Sequence, residues 1–214
     1  MQIVICGKNK NGMAKTEKEL KEMRVDAFSF ACDLSKSSDI KKFFNFTVNN
    51  FKNIDILVNN AGVACYKNFK DNTEEEINQT IDVNLRGLIL TTKYFLPKIN
   101  RRGLIINISS GAGKRGYGGL AVYCASKFAV IGFTESLAQE LDEIKTVSIC
   151  PGGVDTQMYY GMFGEHPGLK PEHIAGKIVD ICTCPKKIKS GSAIKIYRAT
   201  DALNYLKLKY FRTT

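Results

Sequence analysis

The feature that most constrains the fold is a regular alternation of short apolar runs with longer stretches of helical periodicity. Most of the runs are continuously apolar, which is typical of strands buried on both faces of a sheet. Strands that alternate with helices predict a parallel sheet with helices packed on it, in the α/β class. The predicted strands are Ile3–Cys6, Ala27–Cys32, Ile56–Asn59, Leu104–Ile108, Thr146–Cys150 and Ala193–Tyr197.

The stretches between these runs predict helices, because their apolar residues recur at helical spacing. Thr73 followed by Glu76 is a capping box that opens one of them. We expect one domain over residues 1–214, in which 198–214 form a tail that docks on the domain as a helix. The alternatives for the tail are contact with another subunit or with a membrane surface. The other predicted helices are Met13–Met23, Ser37–Phe51, Asn84–Leu96, Tyr123–Leu141, a segment from Pro171 to Cys184, and Asp201–Tyr210.

Composition excludes several classes of function. The two histidines, His166 and His173, are too few for a site of three histidine ligands, and no G-x-S-x-G stretch holds a nucleophilic serine. The seven cysteines include one close pair, Cys182 and Cys184, in a C-x-C spacing. We therefore predict reduced thiols and no metal site.

The charge pattern and the hydropathy bear on location and partners. No apolar run approaches the roughly 20 residues that span a bilayer, and Met1–Gly12 lacks a secretory pattern. We expect a cytoplasmic protein. The formal charge of +10 is spread along the chain. This distribution favours lysines and arginines on solvated helix faces over a nucleic-acid-binding surface. A basic site for a phosphorylated cofactor is a further possibility.

Two residues of the fifth predicted helix can carry proton chemistry. Tyr123 and Lys127 are four positions apart and so share one face of the helix. A neighbouring ammonium favours the phenolate, and we expect it to lower the pKa of the phenol. Such a phenol can exchange a proton with an alcohol or carbonyl oxygen. The spacing alone is also typical of a surface pair.

Other polar residues follow predicted strands at the edge where ligands bind in open α/β sheets. Ser110 follows Leu104–Ile108 and can hydrogen-bond the oxygen that Tyr123 protonates. Asn59–Gly62 and Asp33-Leu34-Ser35 follow two other strands. Taken singly, each has a simpler interpretation as a turn or a helix cap.

Together these pieces resemble the short-chain dehydrogenase/reductase family over nearly the whole chain, from about Ile3 to Tyr197. Ser110 precedes Tyr123 by 13 positions, the usual gap of the family. The matching residues are Asp33-Leu34, the NNAG stretch Asn59–Gly62, Asn84 in DVNLRG, Ser110, Tyr123 and Lys127 in YCASK, and the PGGVDT stretch from Pro151 to Thr156.

The resemblance implies a Rossmann-like doubly wound parallel sheet and hydride transfer between a nicotinamide cofactor and a carbonyl or alcohol. Tyr123 would be the general acid/base, Lys127 would lower its pKa and bind the nicotinamide ribose, and Ser110 would orient the substrate. Asn84 would hold a water in a proton relay behind Lys127. The expected cofactor contacts are Asp33, Leu34, Asn60 and Ala61 beside the adenosine, and Val154 and Thr156 beside the nicotinamide carboxamide.

The beginning of the chain departs from this family pattern. Members usually begin with a strand, a turn of the form T-G-x-x-x-G-x-G and a helix, whereas Gly7 and Gly12 are five apart with no third glycine. The interval from Lys8 to Asp33 matches that between the ends of the second and third strands of the family. We therefore predict a fold truncated at its N-terminus, without the first βα unit. A late start site, a degraded gene and a protein that has dropped catalysis are three open explanations.

Loss of that unit removes the partner strand of two others, Ile3–Cys6 and Ile56–Asn59. They either pair with each other or leave a gap with unsatisfied backbone groups. In the family, the residue at the position of Lys8 faces the adenosine ribose. A basic residue there pairs with a 2′-phosphate. Lys8 and the nearby Lys10 thus favour NADP over NAD.

The segment Gln157–Gly168 is the expected lid, and its apolar residues favour an apolar carbonyl or alcohol substrate. The leading hypothesis is an NADP-dependent oxidoreductase that acts on a small molecule and associates as a homo-oligomer. The alternative is a non-catalytic family member, or a fragment, that has lost cofactor binding and acts through protein interaction.

Overall fold

The computed structural model describes residues 1–165 and 168–197. Five of the predicted strands lie within two residues of their expected bounds, and β4 begins five residues early, at Ile99, where it already pairs with Ile54. The six strands of the described chain are β1 Gln2–Gly7, β2 Asp26–Ala31, β3 Ile54–Asn59, β4 Ile99–Ile108, β5 Lys145–Pro151 and β6 Ala193–Ile196.

Helices fill the connections as predicted, with two changes, one of which is α6 (Gln157–Phe163), a helix that was not predicted. The expected helix over Asn84–Leu96 is the end of a longer run, in which a π-helical turn, Asp82–Gly87, joins α3 to α4. Thr73 and Glu76 form the predicted capping box of α3. The predicted Asp201–Tyr210 helix and the tail lie outside the described residues. The helices are α1 Lys10–Glu22, α2 Ser37–Asn50, α3 Glu74–Ile81, α4 Leu88–Phe95, α5 Ala121–Glu140, α6 Gln157–Phe163 and α7 Pro171–Thr183.

The strands form two parallel sheets instead of one. β1 pairs with β2, and the other four pair in the order β3-β4-β5-β6. Of the two outcomes expected for a truncated fold, the structure shows the gap, since no pairing joins β1 to β3 among the described residues. The strand of the family that would lie between them is the one that the sequence lacks.

The faces that the helices cover decide where β3 lies. Ser29 of β2 donates a hydrogen bond to Glu17 of α1, whereas its neighbour Phe30 packs its ring 5.9 Å from that of Phe43 on α2. Successive side chains of a strand point to opposite faces, so α1 and α2 cover opposite faces. Connections between parallel strands are right-handed. A connecting helix on one face therefore carries the chain across the sheet in one direction, and a helix on the other face carries it back. β3 therefore lies beyond β1, in the order β2-β1-gap-β3-β4-β5-β6.

Helix α2 packs against both sheets. The ring of Phe43 lies 5.9 Å from Phe30 on β2 and 5.3 Å from Phe95 on α4. The same apolar cluster contains Leu57 of β3 and Ile105 of β4. A second cluster lies on the opposite face of the larger sheet, under α7. Since backbone hydrogen bonds do not connect β1 to β3, this packing joins the two halves.

Buried amides tie the larger sheet to its helices. Asn59 at the end of β3 donates to Thr92 of α4 at 3.0 Å and to Asn107 of β4 at 2.8 Å. Asn107 in turn donates to Thr134 of α5 at 3.0 Å. Each of these hydrogen bonds satisfies polar groups that burial would otherwise penalise. They fix how the ends of β3 and β4 face α4 and α5.

Neither membrane-crossing helices nor disulfides occur in the described chain. Its helices are too short or too polar to cross a bilayer. All seven cysteines are free thiols, and Cys32, Cys124 and Cys150 are buried as expected for small apolar side chains.

Replacing Phe43 by alanine tests whether α2 joins the two sheets. We expect Phe43→Ala to lower the free energy of unfolding by about 3–5 kcal/mol, the usual cost of removing a buried phenylalanine. Urea unfolding monitored by circular dichroism measures the change. Phe128→Ala is the matched control, because Phe128 lies on α5 with about half of its surface exposed. A loss of less than about 1 kcal/mol is expected there, and an equal loss in both variants would contradict the assignment.

Candidate functional site

A cavity of about 1190 Å³ opens at the carboxyl ends of β3, β4 and β5. This is the edge at which ligands bind in open α/β sheets. Its lining brings together seven of the residues selected from the sequence, namely Asn60, Ala61, Ser110, Tyr123, Lys127, Val154 and Thr156.

Tyr123 and Lys127 both face the cavity from the first turns of α5. The Lys127 side chain is buried, and its Nζ donates a hydrogen bond of 2.9 Å to the carbonyl oxygen of Ile108 at the end of β4. Nζ lies 5.7 Å from the centre of the Tyr123 ring. The four-residue spacing thus places the two groups side by side, as the sequence predicted.

A close contact between α5 and the end of β4 holds these groups in place. The Ser109 hydroxyl donates to the Lys127 carbonyl oxygen at 2.8 Å. A Cβ on Gly113 would lie 2.5 Å from the Ser109 hydroxyl and 2.6 Å from the Lys127 carbonyl oxygen. Only glycine fits there without a backbone shift, so the glycine allows the strand end and the helix to meet.

Ser110 lies beside Tyr123 and shares a hydrogen bond with its phenol. Its hydroxyl also accepts a hydrogen bond from the backbone N–H of Ala112 at 3.1 Å. Burial raises the pKa of the Tyr123 phenol, and the hydrogen bond from Ser110 only partly opposes that effect. The net direction is opposite to the one expected from the sequence. Burial is the reason, since a low-polarity surrounding disfavours the phenolate.

Burial also disfavours the charged form of Lys127, and for an ammonium this lowers the pKa. Loss of water around it lowers the pKa of Lys127 to about 8. Burial thus favours the neutral form of both groups, and the lowered pKa of Lys127 brings its titration close to neutral pH. An anionic ligand beside this lysine would favour the charged form again.

Asn84 lies behind the cavity within the π-helical turn. Its side chain accepts from the Val63 N–H at 2.7 Å and donates to the Val63 carbonyl oxygen at 2.8 Å. It also donates to the Ser126 hydroxyl at 3.1 Å, and Ser126 donates to the Tyr123 carbonyl oxygen at 2.7 Å. Both N–H groups of the Asn84 amide are therefore used within the protein.

Ser126 is a site residue that sequence reasoning missed. It is fully buried and connects Asn84 to the backbone of Tyr123. Its place inside the YCASK stretch was the available signal. Ser126 is adjacent to Lys127 in the chain and so points to a different side of the helix from the lysine, and the Tyr123–Lys127 spacing did not select it.

Three residues expected beside the adenosine lie at the ends of β1 and β2, outside the cavity lining. Lys8 pairs with Asp33 at 3.2 Å. Partial burial acts to raise the pKa of Asp33, but hydrogen bonds from Ser35 and the Lys8 ammonium outweigh it and lower that pKa. The Leu34 carbonyl oxygen packs against Gly87, where a Cβ would lie only 2.4 Å away. These residues are thus held near the cavity edge but on the far side of the gap.

The segment expected to be a lid, Gln157–Gly168, contains α6, which lines the cavity, and its residues 166–167 lie outside the described residues. Thr156 caps this helix by accepting from the Tyr159 N–H at 3.3 Å. Phe163 contacts Tyr66 and Tyr159, with ring centres 4.8 and 4.7 Å apart. Tyr159 and Phe163 line the cavity together with Leu120 and give it apolar surface.

The arrangement fits the nicotinamide half of a dinucleotide. Asn60, Ala61 and Val154 line a cavity next to a lysine that can donate to ribose hydroxyls. Gly62 lies beside both Asn84 and Lys127, since a Cβ there would be 3.4 Å from Asn84 Oδ1 and from Lys127 Nζ. No group of three His, Cys, Asp or Glu side chains suited to a metal ion occurs in residues 1–165 and 168–197.

Comparison with known proteins identifies the family. The sequence profile described as short chain dehydrogenase matches residues 1–163. The chain belongs to the short-chain dehydrogenase family. The match begins at residue 1 and so includes β1.

Two relatives in this family are named as dehydrogenases of retinol and of estradiol. Epidermal retinol dehydrogenase 2 from Homo sapiens is 35% identical over 192 residues, which are 83% of this chain and 62% of the relative. Estradiol 17-beta-dehydrogenase 11 from Macaca fascicularis is 31% identical over 202 residues, covering 90% of this chain and 67% of the relative. The chain therefore spans about three fifths of the retinol dehydrogenase.

Solved short-chain dehydrogenases share the architecture. Alcohol dehydrogenase from the archaeon Thermococcus sibiricus, complexed with 5-hydroxy-NADP, superposes with a TM-score of 0.83 at 26% identity, covering 90% of this chain and 84% of that one. A 3-ketoacyl-(acyl-carrier-protein) reductase from Brucella melitensis, complexed with NADH, gives 0.82 at 27% identity, with coverages of 90% and 85%. The Rossmann-like fold is thus established, and the two complexes hold different coenzymes.

Burial of Lys127 predicts a pH-dependent stability. The pKa of about 8 in the folded protein lies below the ordinary 10.5, so the unfolded chain binds more protons between these values and stability rises with pH there. The difference corresponds to about 3 kcal/mol at most. Chemical unfolding from pH 7 to 10.5 should show this rise in the wild type relative to Lys127→Met. The rise should persist in Lys93→Met, which removes a solvated ammonium on α4. Parallel curves for the wild type and Lys127→Met would refute the burial effect.

Proposed function

We propose that this short-chain dehydrogenase transfers hydride between NADPH and the carbonyl carbon of an apolar ketone or aldehyde, or runs the reverse oxidation. The observation that carries the proposal is the convergence of Ser110, Tyr123 and Lys127 on one cavity that apolar side chains also line. The nicotinamide supplies the hydride when it is bound. The chain must then bind the carbonyl, orient it and provide a proton to its oxygen.

Each residue has a separate role in this proposal. The Ser110 hydroxyl and the Tyr123 phenol share a hydrogen bond, so both can reach one substrate oxygen. Tyr123 gives its proton to that oxygen during reduction and takes it back during oxidation. A phenol that burial keeps protonated is suited to the donor role. Lys127 holds the nicotinamide ribose and, when charged, favours the phenolate that remains.

Asn84 and the remaining contact residues complete the proposed site. Asn84 would hold a water behind Lys127, although both of its N–H groups already have protein partners, so its Oδ1 must accept from that water. Asn60, Ala61 and Val154 would contact the cofactor along the cavity. Thr156 would reach the carboxamide with the same hydroxyl that caps α6.

The apolar lining supports a substrate of the kind that the relatives' names print. Tyr159, Phe163 and Leu120 give the cavity apolar surface in addition to its polar groups, which matches a molecule with a reactive hydroxyl or carbonyl oxygen on a largely apolar body. Retinol and estradiol have this form. We propose this substrate class for the chain, together with a cytoplasmic location, one domain over 1–214 and homo-oligomers formed through α4 and α5.

A non-catalytic role is the second candidate. It is supported by the separation of the two sheets, because Lys8 and Asp33 lie across the gap from the cavity. In complete members of the family a glycine-rich turn places the pyrophosphate on a helix N-terminus. The T-G-x-x-x-G-x-G turn does not occur in this sequence. A protein of this kind would fold but would not bind NADPH.

The role of Tyr123 is tested by removing its hydroxyl. Tyr123→Phe should lower the rate of reduced-nicotinamide formation from NADP and retinol or estradiol by about 10²- to 10⁴-fold, since the proton acceptor is lost. NADPH affinity, measured by fluorescence titration, should stay within a few-fold. Tyr94→Phe is the matched control, because Tyr94 lies on α4 beside Phe44 and away from the cavity, and its activity should be unchanged. If the wild type does not bind NADPH, the second candidate is correct.

Coenzyme choice is tested at Lys8. Its ammonium pairs with Asp33 at 3.2 Å but stays largely exposed, so it can also contact a 2′-phosphate. Lys8→Glu should weaken NADPH binding relative to NADH by roughly ten- to hundredfold, the value of about 1.5–3 kcal/mol for a hydrogen bond to a charged group. Lys15→Glu makes the same charge change on an exposed position of α1 and should keep the wild-type ratio. Equal ratios in all three proteins would exclude the role of Lys8.

A further inference from the structure

Lys127 presents a buried amine to the cavity. Its side chain is 4% exposed, and its Nζ donates one hydrogen bond, to the carbonyl oxygen of Ile108. Among residues 1–165 and 168–197, no carboxylate forms an ion pair with it. A buried ammonium without a counter-ion is costly, and it has three N–H groups to satisfy. The surroundings therefore favour the neutral amine, whose nitrogen carries a lone pair.

The pKa of Lys127, about 8, agrees with this argument from burial and partners. At pH 8 about half of the Lys127 side chains are neutral amines, whereas a solvated lysine with the ordinary pKa of 10.5 is neutral in less than about 1% of molecules. The neutral amine is the form that attacks a carbonyl carbon. Lys127 is thus a nucleophile inside a cavity that can hold a carbonyl compound.

The position of this amine is fixed from several sides. The Ser109 hydroxyl donates to the Lys127 carbonyl oxygen at 2.8 Å, and the side chain ends on the Ile108 carbonyl oxygen at 2.9 Å. Gly113 lets the helix and the strand end meet at this point. A nucleophile that is held in one position has little conformational freedom left to lose when it reacts.

The groups around Lys127 also suit its reaction with an aldehyde. Tyr123 lies one turn earlier on α5, and burial raises the pKa of its phenol, so the phenol stays protonated and can donate to an oxygen. Leu120, Tyr159 and Phe163 line the same cavity with apolar surface. An apolar aldehyde can therefore be held with its carbonyl group near the lysine and the phenol.

We propose that Lys127 forms a reversible imine with apolar aldehydes. Its Nζ lone pair attacks the carbonyl carbon to form a C–N bond, the carbonyl oxygen gains a proton and the nitrogen loses one, which gives a carbinolamine. Tyr123 donates a proton to the carbinolamine hydroxyl, the C–O bond breaks and water leaves. The remaining N–H proton returns to the phenolate, so that a C=N bond and a neutral phenol remain. Nothing is oxidised or reduced, and the addition of water reverses the reaction.

This activity is separate from the proposed dehydrogenase reaction. It uses a carbonyl compound of the same class but needs neither coenzyme nor hydride transfer. One consequence does rest on the proposed function. If Lys127 holds the nicotinamide ribose, an aldehyde bound as an imine competes with the coenzyme for the same amine.

The test traps the imine in the absence of coenzyme. The protein is incubated at pH 8 with octanal and sodium cyanoborohydride, which reduces an imine to a stable secondary amine. Peptide mapping by mass spectrometry then gives the labelling rate of each lysine. Lys93, exposed on α4, is the internal reference. Lys127 should be labelled at least about tenfold faster than Lys93, because more of it is neutral. Its rate should saturate with octanal concentration, since the aldehyde binds in the cavity before it reacts.

A tyrosine variant tests the proposed proton donor. Tyr123→Phe should slow the labelling of Lys127 at least about tenfold and leave that of Lys93 unchanged. Tyr94→Phe, on α4 beside Phe44, is the matched control and should label as the wild type does.

Three results would overturn the proposal: labelling of Lys127 no faster than that of Lys93, a Lys127 rate that does not saturate, or equal Lys127 rates in Tyr123→Phe and Tyr94→Phe. The site is located in the wild-type protein, so no lysine variant has to fold. Because the assay contains no coenzyme, its outcome is independent of NADPH binding and of dehydrogenase activity, whose absence would contradict the proposed function alone.

Discussion

The architecture depends on side-chain packing at the one place where a sheet normally relies on backbone hydrogen bonds. β1 and β3 do not pair, so α2 must join the two sheets through Phe43 and the aromatic rings around it. Such packing is strong but not directional, and it fixes position less tightly than a ladder of hydrogen bonds does. The position of Lys8 and Asp33 relative to the cavity consequently depends on α2. The geometry of the proposed cofactor site also depends on α2, because the residues proposed for its two halves lie on different sheets.

Within the larger sheet, hydrogen bonds and close contacts fix the positions of the catalytic candidates. The Ser109–Lys127 hydrogen bond and the close approach at Gly113 hold α5 against the end of β4. Asn84 and Ser126 hold the same helix from the opposite side. Burial follows from this close packing, and it explains why the pKa of Tyr123 is raised and that of Lys127 lowered in the same cavity. The half of the site that would carry the chemistry is thus complete, whereas the half that would hold the phosphates is split by the gap.

The sequence predicted most of the fold for identifiable reasons. Continuous apolar runs gave the strands, since both faces of a parallel sheet are covered, and the capping residues at Thr73 gave a helix start. β4 began earlier than expected because Ile99 pairs with Ile54 across an irregular register that no apolar pattern marks. The π-helical turn at Asp82–Gly87 was not foreseen either. The stretch DVNLRG carries no signal that distinguishes a π-helical turn from an α-helical one, and the contacts of Asn84 and Gly87 appear only in the structure.

The sequence by itself determined which chemical groups are present and in what order: a phenol four residues before a lysine, a serine at a strand end, and no glycine-rich turn. Those facts depend on covalent order and local spacing, which the chain carries whatever it packs against. Only the tertiary structure decided how polar the surroundings of Tyr123 and Lys127 are, that Ser126 lies between Asn84 and Tyr123, and that β1 and β3 stay apart. Burial and strand pairing arise from residues far apart in the chain, so no local pattern could have set them.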